Sequence, residues 1–512
     1  MVNLFGCHHS IKENRNKMNQ TKKISYPKGL FTMACVNALF MPSLSMTNAL
    51  LVLYITSQLQ VSVKHAYLIY AAFGSLFYSS SLLGGYLGGR FDYKVAIICG
   101  CLLAGFGGCL VAIPSLTFVF WGLSCFIIGS GLVVPNLNCI TGRLFSKDDP
   151  LRDSGFTIAY IGVNVGGFIA SISSGFIANY LGYHAAFIAS YLLLLLCLII
   201  FLINFKRFEF YQAPHVRPYL PQVTFKNFLP IIFAIIIAVP VIAFLLNHAV
   251  LSNTLLITIG IIMAIIIVKI ALNEKGVARR KLFGFLIFIF FGIAFWALYM
   301  LAPSALTIFI QNNVDRQIGN FIIPTASVYG LNPFFIITLG SLTSWFFFRM
   351  SKKNKTLPLR LKFAAGISCI GLGYVILVLG IAAHDNLGYI AFLWVILSYF
   401  LQTLGELFVG PIGNSMVGSL VPARLEGMMM GVWQLSTGVA GAISGFLASA
   451  TAKAPSNKIT EPLFTNHIFA HFFGLYGLVT IGVGLLIVLL TPQFKRLWDE
   501  DYHKLADSRK MA

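Results

Sequence analysis

The sequence predicts an all-α membrane protein that crosses the bilayer many times, and its composition and its apolar runs lead to that fold class. Of the 512 residues, 58% are apolar and 10% are charged, and the mean hydropathy is +0.83, whereas soluble domains carry about 25% charged residues. Runs of about 20 apolar residues recur along the chain, and each is long enough to span the hydrocarbon core as a helix. Helices are favoured because lipid offers no partner for unpaired backbone groups, and the alternating strands typical of a membrane barrel are absent.

Fourteen segments meet this length requirement. They lie at residues 29–56, 64–89, 94–113, 117–141, 154–178, 183–204, 227–246, 252–272, 281–311, 330–348, 361–383, 388–421, 427–451 and 468–491.

The distribution of basic residues predicts the orientation of these spans. If both termini are cytoplasmic, all but four of the 36 Lys and Arg fall on the cytoplasmic side, and the four are Lys64, Arg316, Lys453 and Lys458. This asymmetry is what the positive-inside rule predicts. The net charge of +20 therefore indicates membrane topology, and we expect no nucleic-acid partner.

Charged segments divide the chain into parts. Linkers around 205–226 and 273–281 isolate two helices with almost no polar residue, whereas the six spans on either side are rich in Gly, Ser, Asn and Pro. Small residues allow close helix packing, and broken helices supply polar groups to a cavity. The alternative is a single bundle of fourteen helices. The predicted parts are a cytoplasmic tail, a six-helix bundle, a linker with an inserted transmembrane hairpin, a second six-helix bundle and a second cytoplasmic tail, at 1–28, 29–204, 205–280, 281–491 and 492–512.

Glu406, in the stretch LQTLGELFVGP, is the one acidic residue deep within a predicted span. A charge at a helix centre costs about 2.5–3.5 kcal/mol even on insertion scales, so such residues usually face a cavity and have a function. Burial also favours the protonated form of a carboxyl group. Glu406 is therefore a candidate proton site, an ammonium-binding site, or both in competition. The structural alternative is a protonated side chain that donates to a nearby carbonyl.

Several stretches resemble one transporter family. LQTLGELFVGPIGNSMVGSLVPARLEGMMMGVWQLSTG (Leu401–Gly438) is similar to the tenth and eleventh core helices of the proton-dependent oligopeptide transporters, a branch of the major facilitator superfamily. Residues 127–168 resemble the fourth and fifth helices, and FWALYMLAPSALTIFIQNNVDR and LNPFFII resemble the seventh and eighth. The family signature F-x-x-[aromatic/Leu/Met]-Y-x-x-x-N-x-G appears as Phe156, Tyr160, Asn164 and Gly166, with Ala159 as its one departure.

The resemblance implies a fold, a function and a set of site residues. The fold is the major facilitator fold, two six-helix bundles plus an inserted two-helix hairpin, in a bacterial inner membrane with both termini cytoplasmic. The function is secondary active, proton-coupled transport of small peptides or peptide-like solutes, with membrane lipid as its surroundings. The implied substrate-binding residues are Glu406, Asn332, Asn164, Trp433 and Tyr160, and Glu406 is the candidate for proton coupling. The implied gating or structural residues are Arg90, Asp92, Lys94, Pro135, Asn136 and Pro333.

The chain departs from the family pattern on one side of this site. By resemblance, Glu406 and Asn332 match the residues around the substrate's amino group, and Trp433 offers an aromatic face to an ammonium unless it only packs. The charged positions of the first, fourth and seventh helices, including the first-helix ExxER cluster, hold neutral residues instead: Asn37, Phe40, Met41, Asn48, Val134 and Met300. In the facilitator motif, Gly89 replaces an aspartate. Half of a peptide site is therefore predicted.

These departures leave several functions open. A family-typical peptide symporter is the first, and an amine/proton antiporter or exporter that uses Glu406 alone is the second. An uncoupled facilitator and a receptor that binds without transport are further alternatives. An enzyme is not expected, because no nucleophile–base pair, metal cluster or phosphate loop has useful spacing. The nine cysteines are scattered without a CxxC pair, so no metal site or cofactor is predicted.

Overall fold

The computed structural model describes residues 26–27, 29–145, 149, 151–205, 225–353, 358–453 and 461–490. The predicted C-terminal tail, nearly all of the N-terminal tail, Lys458 and most of the linker before the hairpin lie outside these residues.

Fourteen long helices and one short one are present in the described part of the chain. In order, they are α1 (Leu30–Ser57), α2 (Val63–Arg90), α3 (Tyr93–Val111), α4 (Leu116–Arg143), α5 (Arg152–Leu181), α6 (Tyr183–Ile203), α7 (Phe225–Asn247), α8 (Ala249–Asn273), α9 (Gly276–Tyr299), α10 (Thr307–Asn313), α11 (Leu331–Lys352), α12 (Leu359–Ala382), α13 (Phe392–Leu420), α14 (Glu426–Thr451) and α15 (Pro462–Leu489).

Short elements connect the helices of the second half. A π-helical turn (Ala302–Leu306) links α9 to α10, and 3₁₀ turns precede α11 (Thr325–Gly330) and α14 (Ala423–Leu425). The strands are β1 (Val314–Asp315), β2 (Gln317–Ile318), β3 (Phe321–Ile322) and β4 (Ile390–Ala391). β1 pairs in parallel with β4, and β2 pairs antiparallel with β3.

The protein is a multi-pass helical membrane protein. In the described residues, twelve segments are long and apolar enough to cross a bilayer. One of them, Ser154–Ile203, contains both α5 and α6, which separate at Gly182. Gly182 has a φ of 87°, a conformation that glycine adopts without steric cost, so the chain turns there. Fourteen crossings remain a prediction.

Equivalent helix contacts in the two halves reveal a repeated bundle. In the first half, α3 packs on α4 and α6, α1 on α5, and α2 on α4. In the second half, α12 packs on α13 and α15, α9 on α14, and α11 on α13. The second set repeats the first with each helix in the corresponding position, as expected for the two related halves of the major facilitator fold.

Two seams join the bundles. At the first, α2 packs along α14, where Gly438, Gly441 and Gly445 allow close approach to Ser75 and Ala71. At the second, α5 packs on α11 and on the 3₁₀ turn before it.

The second seam carries polar and aromatic contacts. The Ser327 hydroxyl donates to the Ile172 carbonyl oxygen at 2.6 Å, and the rings of Phe176 and Phe321 stack at 5.8 Å between centroids. This end of α5 is therefore fastened to the connection between α10 and α11.

The predicted inserted hairpin forms from α7 and α8, and it touches both bundles. α7 packs against α2, α3 and α4, while α8 packs against α2, α9 and α14. Asn253 of α8 is fully buried; its amide donates to the Leu68 carbonyl at 3.2 Å, close to Gly445. Glu274, after α8, forms an ion pair with Arg424 before α14. A polar anchor in an otherwise apolar pair thus fixes the hairpin at the α2–α14 seam.

The facilitator-motif residues stabilise the α2–α3 turn. Asp92 is buried and caps α3 by accepting hydrogen bonds from the backbone amides of Lys94 and Val95. The Lys94 ammonium donates to the Phe205 carbonyl and lies 4.2 Å from the centre of the Phe205 ring. Arg90 ends α2 on the exposed side. In this structure, two of the three residues therefore have structural contacts.

Pro135 and Asn136 lie where α2 and α4 approach closely. Proline cannot donate a backbone hydrogen bond, and beside it the fully buried Asn136 amide donates to the carbonyls of Leu132 and Gly84, at 2.6 and 2.9 Å. A Cβ added to Gly84 would overlap the Gly131 carbonyl group. The close approach of the two helices therefore depends on glycine.

We expect Gly84→Ala to destabilise the protein and Gly74→Ala, on the same helix, to leave stability unchanged or raised. At Gly84 the obstacle is backbone, so the helices must separate; overpacking typically costs about 1–3 kcal/mol. Nothing lies within 4 Å of a Cβ at Gly74, where alanine gains up to about 1 kcal/mol of helix propensity. Thermal unfolding in detergent measures both variants. Equal unfolding temperatures would contradict this account of the seam.

Candidate substrate site around Glu406

Glu406 lies at the midpoint of α13. At 1.5 Å per residue, it is about 21 Å from either end of the helix. The side chain is half-buried. A carboxyl group at this depth needs hydrogen-bond partners or a counter-ion.

Two neutral side chains supply donors to Glu406. The Tyr299 hydroxyl donates to Oε2 at 2.9 Å, and the Asn332 amide donates to the same oxygen at 2.8 Å. Asn332 is itself buried, and its amide also lies 3.2 Å from the Thr403 hydroxyl, one turn before Glu406 on α13. Both contacts fall on Oε2, so within the described residues Oε1 remains available to a donor from a bound solute.

Breaks in the helices position the two donors. Tyr299 is the last residue of α9, directly before the π-helical turn that contains Pro303. Asn332 and Pro333 lie in the first turn of α11, where a missing proline N–H disrupts no helical hydrogen bond. Irregular backbone beside a cavity is typical of transporter sites. Asn332 was predicted beside Glu406, whereas Tyr299 was missed, although its neighbour Met300 was singled out.

Tyrosines of both bundles surround the carboxylate. The hydroxyls of Tyr78 on α2, Tyr160 on α5, Tyr299 and Tyr329 are close enough to Glu406 to interact electrostatically. Tyr160 is 48% exposed, which is high for a residue in the middle of the protein and fits a side chain that faces a cavity. The site therefore lies between the bundles, with Glu406 on one wall.

Asn164 faces the same region from α5. It is buried, and its amide nitrogen donates to the Tyr160 carbonyl of its own helix at 2.9 Å. Its side chain also interacts with the Tyr160 side chain. The predicted residues Tyr160, Asn332 and Glu406 thus lie in one region, and Asn164 is connected to that region through Tyr160.

Trp433 occupies a different position from that expected of an ammonium-binding aromatic. It is buried, and its indole fills the space beside Gly292 and Gly413. Gly413 is two turns beyond Glu406 on α13, which is about 10 Å along the axis. This geometry fits the packing alternative, and a role in binding substrate remains a prediction.

A second indole lies nearer to the carboxylate. The Trp296 ring meets the Tyr299 ring edge to face, 5.2 Å between centroids and 83° between planes. Its Nε1–H is buried and has no partner among the described residues. Trp296 belongs to the stretch FWALYMLAPSALTIFIQNNVDR, which resembles the family's seventh helix, but the sequence did not indicate that its ring packs against Tyr299.

The first-helix residues that stand in place of the family's charged residues form hydrogen bonds or pack in the core. The Asn37 amide donates to the Met33 carbonyl of its own helix at 2.9 Å, and Phe40 is 1% exposed in the core. The Asn48 side-chain oxygen accepts from the Tyr70 hydroxyl at 3.0 Å, and Asn48 also interacts with Tyr329. These residues replace charges with hydrogen bonds and packing.

The described residues contain no group of three or more side chains that could bind a metal ion.

Comparison with known proteins agrees with this architecture. A profile of the POT family (PTR2) matches residues 94–464. The chain is 30% identical over 457 residues to dipeptide and tripeptide permease A of Salmonella typhi, a match that covers 89% of this chain and 90% of the permease. The permease of the same name from Escherichia coli K12 is 29% identical over 457 residues, a match that covers 89% of this chain and 90% of that permease.

Solved structures extend the comparison to the fold. A mutant of the peptide transporter POT in complex with alafosfalin superposes with a TM-score of 0.78 at 26% identity, covering 92% of this chain and 96% of that one. A bacterial homologue of the human drug peptide transporters gives a TM-score of 0.80 at 22% identity, covering 92% and 99%. The fold is therefore the major facilitator fold, and the chain belongs to the POT family.

Proposed function

We propose that this protein is a secondary active transporter of small peptides or peptide-like solutes, with proton coupling at Glu406. The observation that carries the proposal is a carboxylate at the midpoint of α13 that lies near tyrosines of both bundles and, within the described residues, accepts hydrogen bonds from the neutral side chains of Tyr299 and Asn332. The names of relatives, dipeptide and tripeptide permeases, support the substrate class.

Tyr299 and Asn332 position the Glu406 carboxylate to bind a proton or an ammonium group. Both hold Oε2, so Oε1 can accept from the ammonium group of a solute. Hydrogen bonds to charged groups are stronger than neutral ones, and the site is only partly open to solvent. A proton bound to the carboxylate competes directly with the ammonium. One group therefore binds either the proton or the substrate amine, but not both at once.

Tyr78 and Tyr160 provide a physical link between this site and motion of the bundles. They belong to the first bundle, whereas Glu406 belongs to the second. If the bundles rock about the cavity, the surroundings of the carboxylate change, and so does its preference for proton or ammonium. Rocking of rigid halves about a midplane site is the transport mode expected for this fold.

The proposed organisation follows the predicted boundaries. Residues 29–204 and 281–491 form the two bundles, and residues 205–280 contain the hairpin. The protein lies in a bacterial inner membrane, with both tails on the cytoplasmic side. The basic excess at one set of helix ends supports that orientation. In this orientation, the contact between Ser327 and Ile172 closes the extracellular face.

An amine/proton antiporter is the second candidate. The observation in its favour is that Glu406 is the one acidic residue near the middle of a described helix. With a single carboxylate, a bound proton and a bound ammonium group exclude one another. One must leave before the other binds, so the site exchanges one for the other. Symport needs both on the protein at once.

We expect Glu406→Gln to abolish proton-driven accumulation, because the amide neither takes up a proton nor attracts an ammonium. Uptake of a labelled dipeptide and of its C-terminal amide into proteoliposomes, with the outside or the inside acidic, measures this. Glu274→Gln, at an ion pair with the exposed Arg424 outside the site, serves as the control and should retain the gradient response.

The direction of the effective gradient separates the candidates. An acidic outside that drives uptake supports the symporter, and an acidic inside that drives it supports the antiporter. Flux without a gradient response contradicts coupling, and binding without flux contradicts transport. Gradient-driven uptake by Glu406→Gln would show that Glu406 is not the coupling group.

We expect Tyr299→Phe to weaken binding of the transported solute by about tenfold, because Glu406 is then held in position for the ammonium group by one hydrogen bond instead of two, and a hydrogen bond to a charged group contributes about 1.5–3 kcal/mol. The effect should disappear in the Glu406→Gln background, because the two changes act through one contact. Binding is measured by calorimetry in detergent. Tyr374→Phe is the matched control, since that hydroxyl donates to the Leu298 carbonyl. Additive losses for Tyr299→Phe and Glu406→Gln would contradict the shared role.

A further inference from the structure

We infer that the site selects solutes that carry an ammonium group but no free carboxylate, such as C-terminal amides and esters of short peptides. The inference rests on the proposed function, because it takes Glu406 as the partner of the ammonium. It narrows the substrate class from peptides in general to cationic, carboxylate-masked ones.

The first argument is the position of the charges. Every Lys and Arg in the described helices lies within the first or last two turns of its helix, whereas Glu406 lies at a midpoint. Lys281 and Lys269 come furthest into their helices, six residues from the start of α9 and five from the end of α8. At the level of Glu406, the formal charge contributed by the helices is therefore negative.

The second argument is the orientation of the amide groups. The Asn164 and Asn37 nitrogens each donate to the carbonyl oxygen four residues earlier on their own helix. Asn332 donates to Glu406 and Thr403. Asn332 uses both of its amide N–H groups in these contacts, and Asn164 and Asn37 each use one of two, whereas all three side chains carry an acceptor oxygen. Acceptors suit N–H donors and do not suit a carboxylate.

The third argument concerns the wall formed by α1. Asn48 accepts from the Tyr70 hydroxyl and interacts with Tyr329, so this position is filled by a neutral, hydrogen-bonded group. Met41, on the same helix, is a thioether with no donor. Val134 on α4 is partly buried and apolar. Asn48 is connected to the site through Tyr329, which interacts with both Asn48 and Glu406, whereas Met41 and Val134 pack against the apolar core.

The consequence for a free dipeptide follows from electrostatics. Its ammonium is paired with Glu406, but its carboxylate enters a partly desolvated space without a cation and within reach of the Glu406 charge. Both desolvation and like charge disfavour the ionised form there. A C-terminal amide keeps the ammonium contact, carries no negative charge and offers two further N–H donors to the acceptor oxygens.

The test compares alanyl-alanine with alanyl-alanine amide. Calorimetric affinity in detergent and counterflow in proteoliposomes are both measured at pH 7. We expect the amide to bind at least about tenfold more tightly, a ratio that corresponds to one charge left without its hydrogen bonds. Equal or tighter binding of the free acid overturns the inference while leaving the proposed function standing. Binding of neither compound overturns the proposed function itself.

A cation placed in the site provides the reciprocal test. Asn48→Arg should reverse the preference towards the free acid, because the guanidinium can pair with the carboxylate. Asn48→Gln keeps a neutral amide and should retain the preference for the amide solute. If Asn48→Arg does not fold, Val134→Lys tests the same point from α4. An Asn48→Arg or Val134→Lys protein that folds and still prefers the amide solute as strongly as before contradicts the inference.

Discussion

The hydrogen bonds from Tyr299 and Asn332 to Glu406 are the interaction on which the central site depends. A carboxylate in the middle of a membrane helix is costly unless a cation or donors receive it. Here both donors are neutral, and both bind one oxygen. The carboxylate is therefore held in place without being neutralised, which leaves it able to bind a proton or an ammonium group. A lysine or arginine at either position would have formed a closed ion pair instead.

Helix breaks make this arrangement possible. An unbroken α9 would continue past Tyr299 in regular geometry, whereas the turn at Ala302–Leu306 separates it from α10. The 3₁₀ turn before α11 brings Asn332 to the same level. Elsewhere, close helix packing at Gly84 and Gly131 provides rigidity. Close packing also occurs beside the site, where Gly405 on α13 meets Gly366 on α12. The irregular backbone near Glu406 therefore lies in the turn after α9 and in the 3₁₀ turn before α11.

Much of the fold was predictable because apolar length is a local property. The first predicted span, 29–56, differs by one residue at each end from Leu30–Ser57, since loop residues flank it clearly. The ninth, 281–311, was predicted as one helix but contains the break after Tyr299, because a π-helical turn has no hydropathy signal. The break at Gly182 falls between two predicted spans, 154–178 and 183–204. The anchor Asn253 was not, because one polar residue in an apolar helix does not indicate its partner.

The site was predictable in part for a related reason. Resemblance assigns positions, and it placed Asn332 and Glu406 correctly next to each other. It does not determine the direction of a side chain, which depends on free space nearby. Gly292 and Gly413 create that space for Trp433 away from Glu406, while Trp296 packs on Tyr299. Small residues on neighbouring helices therefore decide which aromatic approaches the carboxylate, and those residues are distant in sequence.

Because the site has a single carboxylate, substrate specificity and proton coupling depend on the same group in this protein. In a site with several charges, one pair can bind the solute while another moves the proton. Here Glu406 is available for both, and the surrounding tyrosines and asparagines can modulate it but not replace it. A solute that brings its own carboxylate adds negative charge to a site that already holds one. A solute with only an ammonium restores neutrality, as a proton does. If Glu406 binds the ammonium group as proposed, proton and amine are equivalent ligands of one carboxylate, and that equivalence is the physical argument for exchange of one for the other.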